Sequence, residues 1–198
     1  MKVRQAGKFE TRNKVLGAAR VLFVDPGYER TTIRMIAQLA KVSVGSVFTT
    51  FASKEDILAA IVFERYDGLA KRLNATLAEV TGNARTKMKA AFAAAYDYDF
   101  DRHAMLMHQI SATWTWSAEM EAGSQAAIAA PFGFVFALLR EAQTSGEIGE
   151  TADLAVLGDM LMGTYLRGWR AGWFKKLDPE GMAAFAAPQI DVVFNGAR

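Results

Sequence analysis

The sequence has no cysteine among its 198 residues, and it contains only 4 prolines and 2 histidines. Without cysteine the chain cannot form disulfides, thiolate metal sites, iron–sulfur clusters or a cysteine nucleophile. The apolar run over residues 126–139 is too short to span a bilayer and is broken by Pro131. The basic N-terminus leads into no apolar segment typical of a signal peptide. We therefore expect a soluble, cytoplasmic protein that does not enter a membrane.

The rest of the composition is that of a folded chain. Hydrophobic residues make up 52% and charged residues 22%, which excludes disordered and low-complexity classes. Apolar residues recur at helical spacing, as at Leu16, Ala19 and Phe23, and no segment alternates for long enough to predict a strand. We expect an all-α fold of about nine helices, the last five near residues 84–101, 102–120, 131–145, 152–174 and 179–194.

Charge is distributed unevenly along the chain. Residues 1–54 contain ten basic and three acidic side chains, a net charge of +7, whereas residues 55–198 carry −5. A basic first quarter joined to an acidic remainder predicts a polyanion-binding module attached to a second domain, although a solvated basic face would give the same count. We expect an N-terminal domain over residues 1–52 and a second domain over 53–198.

Two short helices joined by a tight turn are predicted between residues 31 and 50. Thr31 or Thr32 can cap the first helix and Ser43 the second, which makes a helix-turn-helix candidate. Such a motif presents small or polar residues of its second helix to base edges in the major groove, and helix N-termini attract phosphate. Val47, Phe48 and Phe51 are expected to face inward. The candidate DNA-binding residues are Arg30, Thr31, Thr32, Arg34, Lys41, Ser43, Val44, Gly45, Ser46, Thr49, Thr50 and Lys54.

These landmarks belong to a longer pattern of about fifty residues, which includes Leu22-Phe23, Thr31-Thr32-Ile33, Ser43-Val44-Gly45-Ser46 and Ser53-Lys54-Glu55. In order, spacing and residue type this segment resembles the DNA-binding domain of the TetR (tetracycline-repressor) family. The resemblance implies a homodimeric transcriptional regulator, usually a repressor, that binds a palindromic operator in double-stranded DNA and is released by a small molecule. It also implies that the last two helices form the dimer interface.

Three positions depart from the family's usual pattern. Lys41 stands where glycine is usual, Phe48 where tyrosine is usual, and Thr50 where histidine is often found. Phe48 has no hydroxyl to donate to a phosphate, and Lys41 adds a positive charge if the turn tolerates a residue with a side chain. These departures bear on the operator sequence and on affinity rather than on the presence of the module.

Large apolar residues at helical spacing are concentrated in the second domain. The resemblance suggests, by position, that they line a pocket for a small hydrophobic or aromatic effector, although the same stripes would also form an ordinary core. The candidate ligand-binding residues are Phe92, Tyr96, His103, Met107, Ile110, Trp114, Phe132, Phe136, Met162, Leu166 and Trp169.

Catalytic and metal-binding signals are weak. Residues 158–164 have the glycine spacing of a phosphate loop but lack its lysine, and Asp97, Asp99 and Asp101 lack the glycine and glutamate that a calcium loop requires. His103 and His108 fall on different faces of a helix. We expect no enzyme activity, no cofactor and no metal site. The alternatives are a ligand-independent DNA-binding or partner-binding scaffold and, with less support, a helical enzyme.

Overall fold

The computed structural model describes residues 2–104, 106–107 and 118–197, and across these residues it contains helices and turns but no strand. The predicted all-α fold is therefore confirmed. None of the described helices is long and apolar enough to cross a lipid bilayer. A π-helical turn over Phe23–Gly27 and a 3-10 turn over Phe100–Arg102 accompany the α-helices. The α-helices are α1 (Lys2–Leu22), α2 (Ile33–Ala40), α3 (Val44–Phe48), α4 (Lys54–Glu79), α5 (Ala84–Asp99), α6 (Ala118–Thr144), α7 (Leu154–Lys175) and α8 (Pro179–Gly196).

The described residues group into two compact units. The first unit holds residues 2–65 together with 104, 106 and 107, and the second holds 66–103 and 118–197. Helix α4 begins in the first unit and continues into the second. The division therefore falls inside α4, whereas the boundary expected at residue 52 precedes this helix and stays a prediction.

Apolar residues from four helices form the core of the first unit. Leu16, Ile36, Val47 and Ile57, one each from α1 to α4, are at most 1% exposed. Helix α1 contacts both α2 and α3, so the two short helices are held against a longer one. Gly27 follows α1 with a φ of 102°, a conformation that glycine adopts without steric cost.

Side-chain caps fix where the helices of the second unit begin. The Asn83 carboxamide oxygen accepts a backbone N–H in the first turn of α5, and the Glu147 carboxylate accepts the N–H of Ala84 at 2.9 Å. Asp153 caps α7 and Asp178 caps α8 in the same way. Acceptors at these positions satisfy N–H groups that have no partner within the helix. Helices α5 and α7 both pack against α8.

Helix α6 runs through Pro131. The sequence predicts one helix ending near residue 120 and another beginning at Pro131, because proline is favoured in the first turn of a helix. That prediction was wrong: the alanine-rich stretch over residues 126–130 has high helix propensity, and the helix continues despite the missing proline N–H. Most of the helix predicted over residues 102–120 lies outside the described residues.

Candidate nucleic-acid interface

Side-chain caps fix where α2 and α3 begin. At α2 the Thr32 hydroxyl oxygen accepts the backbone N–H of Met35 at 3.2 Å, and at α3 the Ser43 oxygen accepts the N–H of Ser46 at 3.0 Å. Lys41 ends α2 in the left-handed conformation, with φ 54° and ψ 44°. Of the caps that the sequence predicts, Thr32 rather than Thr31 caps α2, and Ser43 caps α3.

Helix α3 buries one face and exposes the other. Val47 is fully buried, and Phe51, four residues later, is 5% exposed. Because residues four apart share a helix face, these two side chains define the inward side. The opposite surface begins in the first turn of the helix and contains no charged side chain. It consists of Val44, Gly45, Phe48 and Thr49.

Phe48 lies on the outward surface of the first unit, with 54% of its area exposed. From the sequence we predict Phe48 to face inward together with Val47 and Phe51, and this prediction was wrong. Successive residues of a helix are rotated by about 100°, so with Val47 and Phe51 facing the core, Phe48 falls on the side of Val44. Its ring therefore belongs to the candidate interface.

Thr31 and Lys54, two predicted DNA contacts, take part in internal contacts instead. Thr31 is 1% exposed, and its hydroxyl lies 2.8 Å from the carbonyl oxygens of both Leu22 and Gly27. The Lys54 ammonium donates to the carbonyl oxygens of Tyr28 at 2.9 Å and Thr31 at 3.2 Å. It also lies 4.1 Å from the centre of the Tyr28 ring. These contacts join the start of α4 to the segment before α2, so we leave both residues out of the proposed interface.

The Tyr28 hydroxyl extends this internal contact set by donating to the Glu55 carboxylate at 3.0 Å. Burial raises the pKa of Tyr28, and the neighbouring Glu55 carboxylate raises it further. A hydrogen bond from its own backbone N–H lowers the pKa of Glu55, to which Ser53 and Tyr28 also contribute. At neutral pH the phenol therefore remains a donor and the carboxylate an acceptor.

The other predicted interface residues lie at or near the surface. Arg30 precedes α2, Arg34 lies in its first turn and Lys41 ends it, and α2 packs against α3. Exposed cations at such positions bind phosphates without reading bases. The exposed members of the predicted set are Arg30, Thr32, Arg34, Lys41, Ser43, Val44, Gly45 and Thr49, and the half-buried ones are Ser46 and Thr50.

Lys41 carries a conformational cost that can be measured. A residue with a side chain in the left-handed region is disfavoured by about 1–2 kcal/mol, a cost that glycine does not have. Lys41→Gly should therefore raise the free energy of unfolding by about 1 kcal/mol in urea titrations. It should also reduce the steepness of log affinity against log salt concentration by about one, because an exposed cation that binds one phosphate is removed.

Lys176 provides the matched control, since it ends α7 in the same conformation, with φ 57° and ψ 41°. Lys176→Gly should stabilise the protein by a similar amount and leave DNA affinity unchanged. A Lys41→Gly protein that is less stable than the parent would show that the side chain makes a favourable contact in the turn.

Four of the predicted ligand-binding residues form a packed aromatic cluster in the second unit. Phe92, Tyr96, Phe132 and Trp169 are buried around Tyr165, with ring centroids 5.1–6.3 Å from that ring. The Tyr96 hydroxyl donates to the Tyr165 carbonyl at 3.0 Å. Burial raises the pKa of Tyr96, and the nearby Tyr165 hydroxyl adds to this. Tyr165 is not among the predicted ligand-binding residues, although its spacing of four from Trp169 places both on one face of α7.

The remaining predicted ligand-binding residues are not part of this cluster. Phe136 is 38% exposed and Leu166 43% exposed, whereas His103 and Met162 are half-buried. Met107 belongs to the first unit. Ile110 and Trp114 lie outside the described residues. A ligand pocket formed by the whole set therefore stays a prediction.

Residues 15–61, from α1 into α4, match the family described as "Bacterial regulatory proteins, tetR family". The HTH-type transcriptional regulator HbdR of Aromatoleum sp. (strain CIB) is 47% identical over 49 residues, which cover 25% of this chain and 21% of that protein. The family match identifies residues 15–61, which include the helix-turn-helix unit, as similar to the DNA-binding segment of TetR-family regulators. The HTH-type transcriptional repressor KstR2 of Mycolicibacterium smegmatis is 30% identical to this chain over 96 residues, covering 48% of this chain and 46% of that protein.

These curated relatives are transcriptional regulators by name rather than enzymes. The chain matches less than half the length of either one. Among solved structures, the regulator FadR from Bacillus subtilis, in complex with stearoyl-CoA, aligns with a TM-score of 0.76. The alignment covers 93% of this chain and 98% of FadR at 19% identity. The chain therefore shares the fold of FadR, and its N-terminal helix-turn-helix unit lies in the segment that matches the TetR family model.

Proposed function

We propose that this chain is a DNA-binding transcriptional repressor that binds a palindromic operator as a homodimer and is released by a small hydrophobic or aromatic ligand. The observation that carries the proposal is the outward surface of α3, which is small and uncharged in its first turn. The exposed cations Arg30, Arg34 and Lys41 lie on the neighbouring α2 segment of a region with net charge +7. Such a surface suits a major groove, with the cations on flanking phosphates. We place the protein in the cytoplasm, with its operator.

Selection of bound duplexes from random DNA, followed by footprinting, tests this function directly. The expected product is a palindrome whose half-sites are about 34–36 Å apart, or a multiple of that spacing, with an affinity that falls steeply as salt is raised. Failure to enrich any sequence, or protection of a single half-site by a monomer, would contradict the proposal.

A groove between α7 and α8 supports the proposed homodimer. It has a volume of about 490 Å³ and is lined mostly by apolar groups, among them Met160, Pro188 and Val192. Met160 is 48% exposed and Val192 67% exposed. Exposed apolar surface of this kind is typical of a protein–protein interface. Two copies that pair through this groove would make a symmetric contact of the last two helices.

Among the glycines of α7, Gly163 lines the groove and has open space beside its backbone. A Cβ atom added at Gly158, Gly168 or Gly172 would meet a side chain within 3 Å, whereas one added at Gly163 would have no atom within 4 Å. The first three glycines thus accommodate packing within the second unit. Gly163 leaves room for a helix of a second copy to approach closely.

Gly163→Arg should convert the dimer to a monomer, because a long charged side chain would occupy the groove without disturbing the fold of one copy. Operator affinity should fall by about 100-fold or more, since the two half-sites would no longer be bound together. Size-exclusion chromatography with light scattering measures the first effect and a binding titration the second. The control is Gly133→Arg on α6, where an added Cβ also meets nothing within 4 Å. A dimeric Gly163→Arg protein would place the interface elsewhere.

The bound ligand of one structural neighbour supports the proposed ligand class. FadR, which shares this fold, was solved with stearoyl-CoA, and we infer that long-chain acyl compounds are the first ligands to test on this chain. The packing of Phe92, Tyr96, Phe132 and Trp169 around Tyr165 favours a second candidate, a ligand-independent regulator, because these four predicted ligand-binding residues already contact a common ring.

Thermal unfolding with stearoyl-CoA, stearate and free coenzyme A separates the two candidates. A ligand present at 100 times its dissociation constant stabilises a protein by about 2.7 kcal/mol, which gives a measurable rise in Tm, and the same compound should release operator DNA. If none of these compounds nor a wider set of hydrophobic ones raises the Tm, the ligand-independent function is supported.

A further inference from the structure

The exposed surface of α3 lacks the side chains that read most bases. Guanine is read by arginine or lysine, adenine by asparagine or glutamine, and cytosine by aspartate or glutamate. None of these residue types occurs between Ser43 and Thr50. Helix α3 therefore cannot distinguish bases through the paired hydrogen bonds that are commonest in the major groove.

The hydroxyl groups on α3 are engaged within the helix. Thr49 donates to the carbonyl oxygen of Gly45 at 2.7 Å, and Thr50 donates to that of Ser46 at 2.9 Å. The hydroxyls of Ser43 and Ser46 lie 2.8 Å apart and share a hydrogen bond. What α3 presents outward is therefore mainly apolar: the Val44 side chain, 37% exposed, and the Phe48 ring, 54% exposed.

Gly45 lies between these two apolar side chains, and its lack of a side chain is not required by the fold. An added Cβ atom would meet nothing closer than the Ser43 oxygen at 3.8 Å. The glycine leaves the backbone of the first turn open to a surface that approaches from outside, and Val44 and Phe48 would contact that surface on either side of it.

The apolar group that base pairs display in the major groove is the C5-methyl of thymine. We propose that α3 reads its half-site mainly through thymine methyl groups, contacted by Val44 and Phe48, while Arg30, Arg34 and Lys41 supply affinity through phosphates. This inference rests on the proposed function and deepens it, because it names the chemical feature of the operator that α3 recognises.

Deoxyuridine differs from thymidine only by that methyl group, so it tests the inference without altering base pairing. The selected operator is prepared as a series of duplexes, each with one thymine position changed to deoxyuridine in both half-sites. Burial of one methyl group corresponds to about a fourfold change in affinity. We therefore expect a loss of about 15-fold at one or two positions and no change at the others, measured by fluorescence anisotropy with the full-length chain.

Variants of α3 assign the effect to residues. Val44→Ala and Phe48→Ala alter exposed side chains, so both proteins should fold, and each should bind the thymine and deoxyuridine duplexes equally at the position it reads. Leu39→Ala is the matched control, because Leu39 is also apolar and 48% exposed but lies on α2. It should retain the full 15-fold difference.

The outcomes separate this inference from the function on which it rests. Tight operator binding with less than a twofold loss at every deoxyuridine position would overturn thymine-methyl recognition and leave the repressor function in place. A penalty that Val44→Ala and Phe48→Ala both retain would also overturn it. Absence of binding to any selected duplex would instead overturn the proposed function.

Discussion

Replacing Gly168 with alanine should destabilise the second unit by about 3 kcal/mol or more, because the new methyl group overlaps a side chain that has no room to move. The added Cβ would meet both the hydroxyl oxygen and the Cζ atom of Tyr96 at less than 3 Å. Tyr96 is fully buried, stacks on the Tyr165 ring with centroids 5.1 Å apart, and donates to the Tyr165 carbonyl. Urea unfolding followed by circular dichroism measures the loss.

Two further variants establish the cause of this loss. Gly133→Ala places a methyl group on α6 with no atom within 4 Å, so it should stabilise the protein by about 0.5–1 kcal/mol through helix propensity alone. Tyr96→Phe combined with Gly168→Ala removes the nearest atom and should recover part of the loss. A Gly168→Ala protein within about 0.5 kcal/mol of the parent would show that the cluster around Tyr165 is loose enough to admit a ligand.

The sequence predicts the helix-turn-helix unit well because its signals are local. Thr32 and Ser43 are capping residues that bond N–H groups three positions ahead, and Gly27 adopts its positive φ within a short turn. Such contacts depend on a few neighbouring residues, so a single sequence contains them. Lys54 shows the opposite case. Its ammonium bonds carbonyl oxygens 23 and 26 residues earlier, and charge alone predicts a phosphate contact instead.

The outward position of Phe48 could not be predicted because α3 has only five residues. A helix of that length contains too few apolar positions for a periodic pattern, so Val47 and Phe48 look alike in sequence. The structure separates them, because Val47 and Phe51 are buried whereas Phe48 is 54% exposed.

In the second unit, apolar spacing predicts which residues are buried but not what they enclose. Phe92, Tyr96 and Trp169 occupy buried faces as their spacing indicates, yet they contact one another around Tyr165. A core and a ligand pocket have the same periodicity, because both place large apolar residues on the inner side of a helix. The difference lies in how closely the side chains of separate helices meet.

Gly45→Glu should abolish specific DNA binding while leaving the fold intact, with a loss of affinity of at least about 100-fold. Gly45 is exposed in the first turn of α3, and a side chain there has only the Ser43 oxygen as a neighbour, at 3.8 Å. A carboxylate near a helix N-terminus is favourable in the free protein. In a DNA groove the same carboxylate faces phosphates, and juxtaposed like charges cost several kcal/mol.

A graded series makes this prediction specific to the proposed interface. Gly45→Ala adds bulk without charge and should weaken binding less than Gly45→Glu, while Gly133→Glu makes the same charge change on α6 and should leave affinity unchanged. Thermal unfolding checks that all three variants are folded, and anisotropy titrations at fixed salt give the affinities. Because the fold accommodates a side chain at Gly45, a folded Gly45→Glu protein that binds operator as tightly as the parent would mean that α3 does not enter the groove.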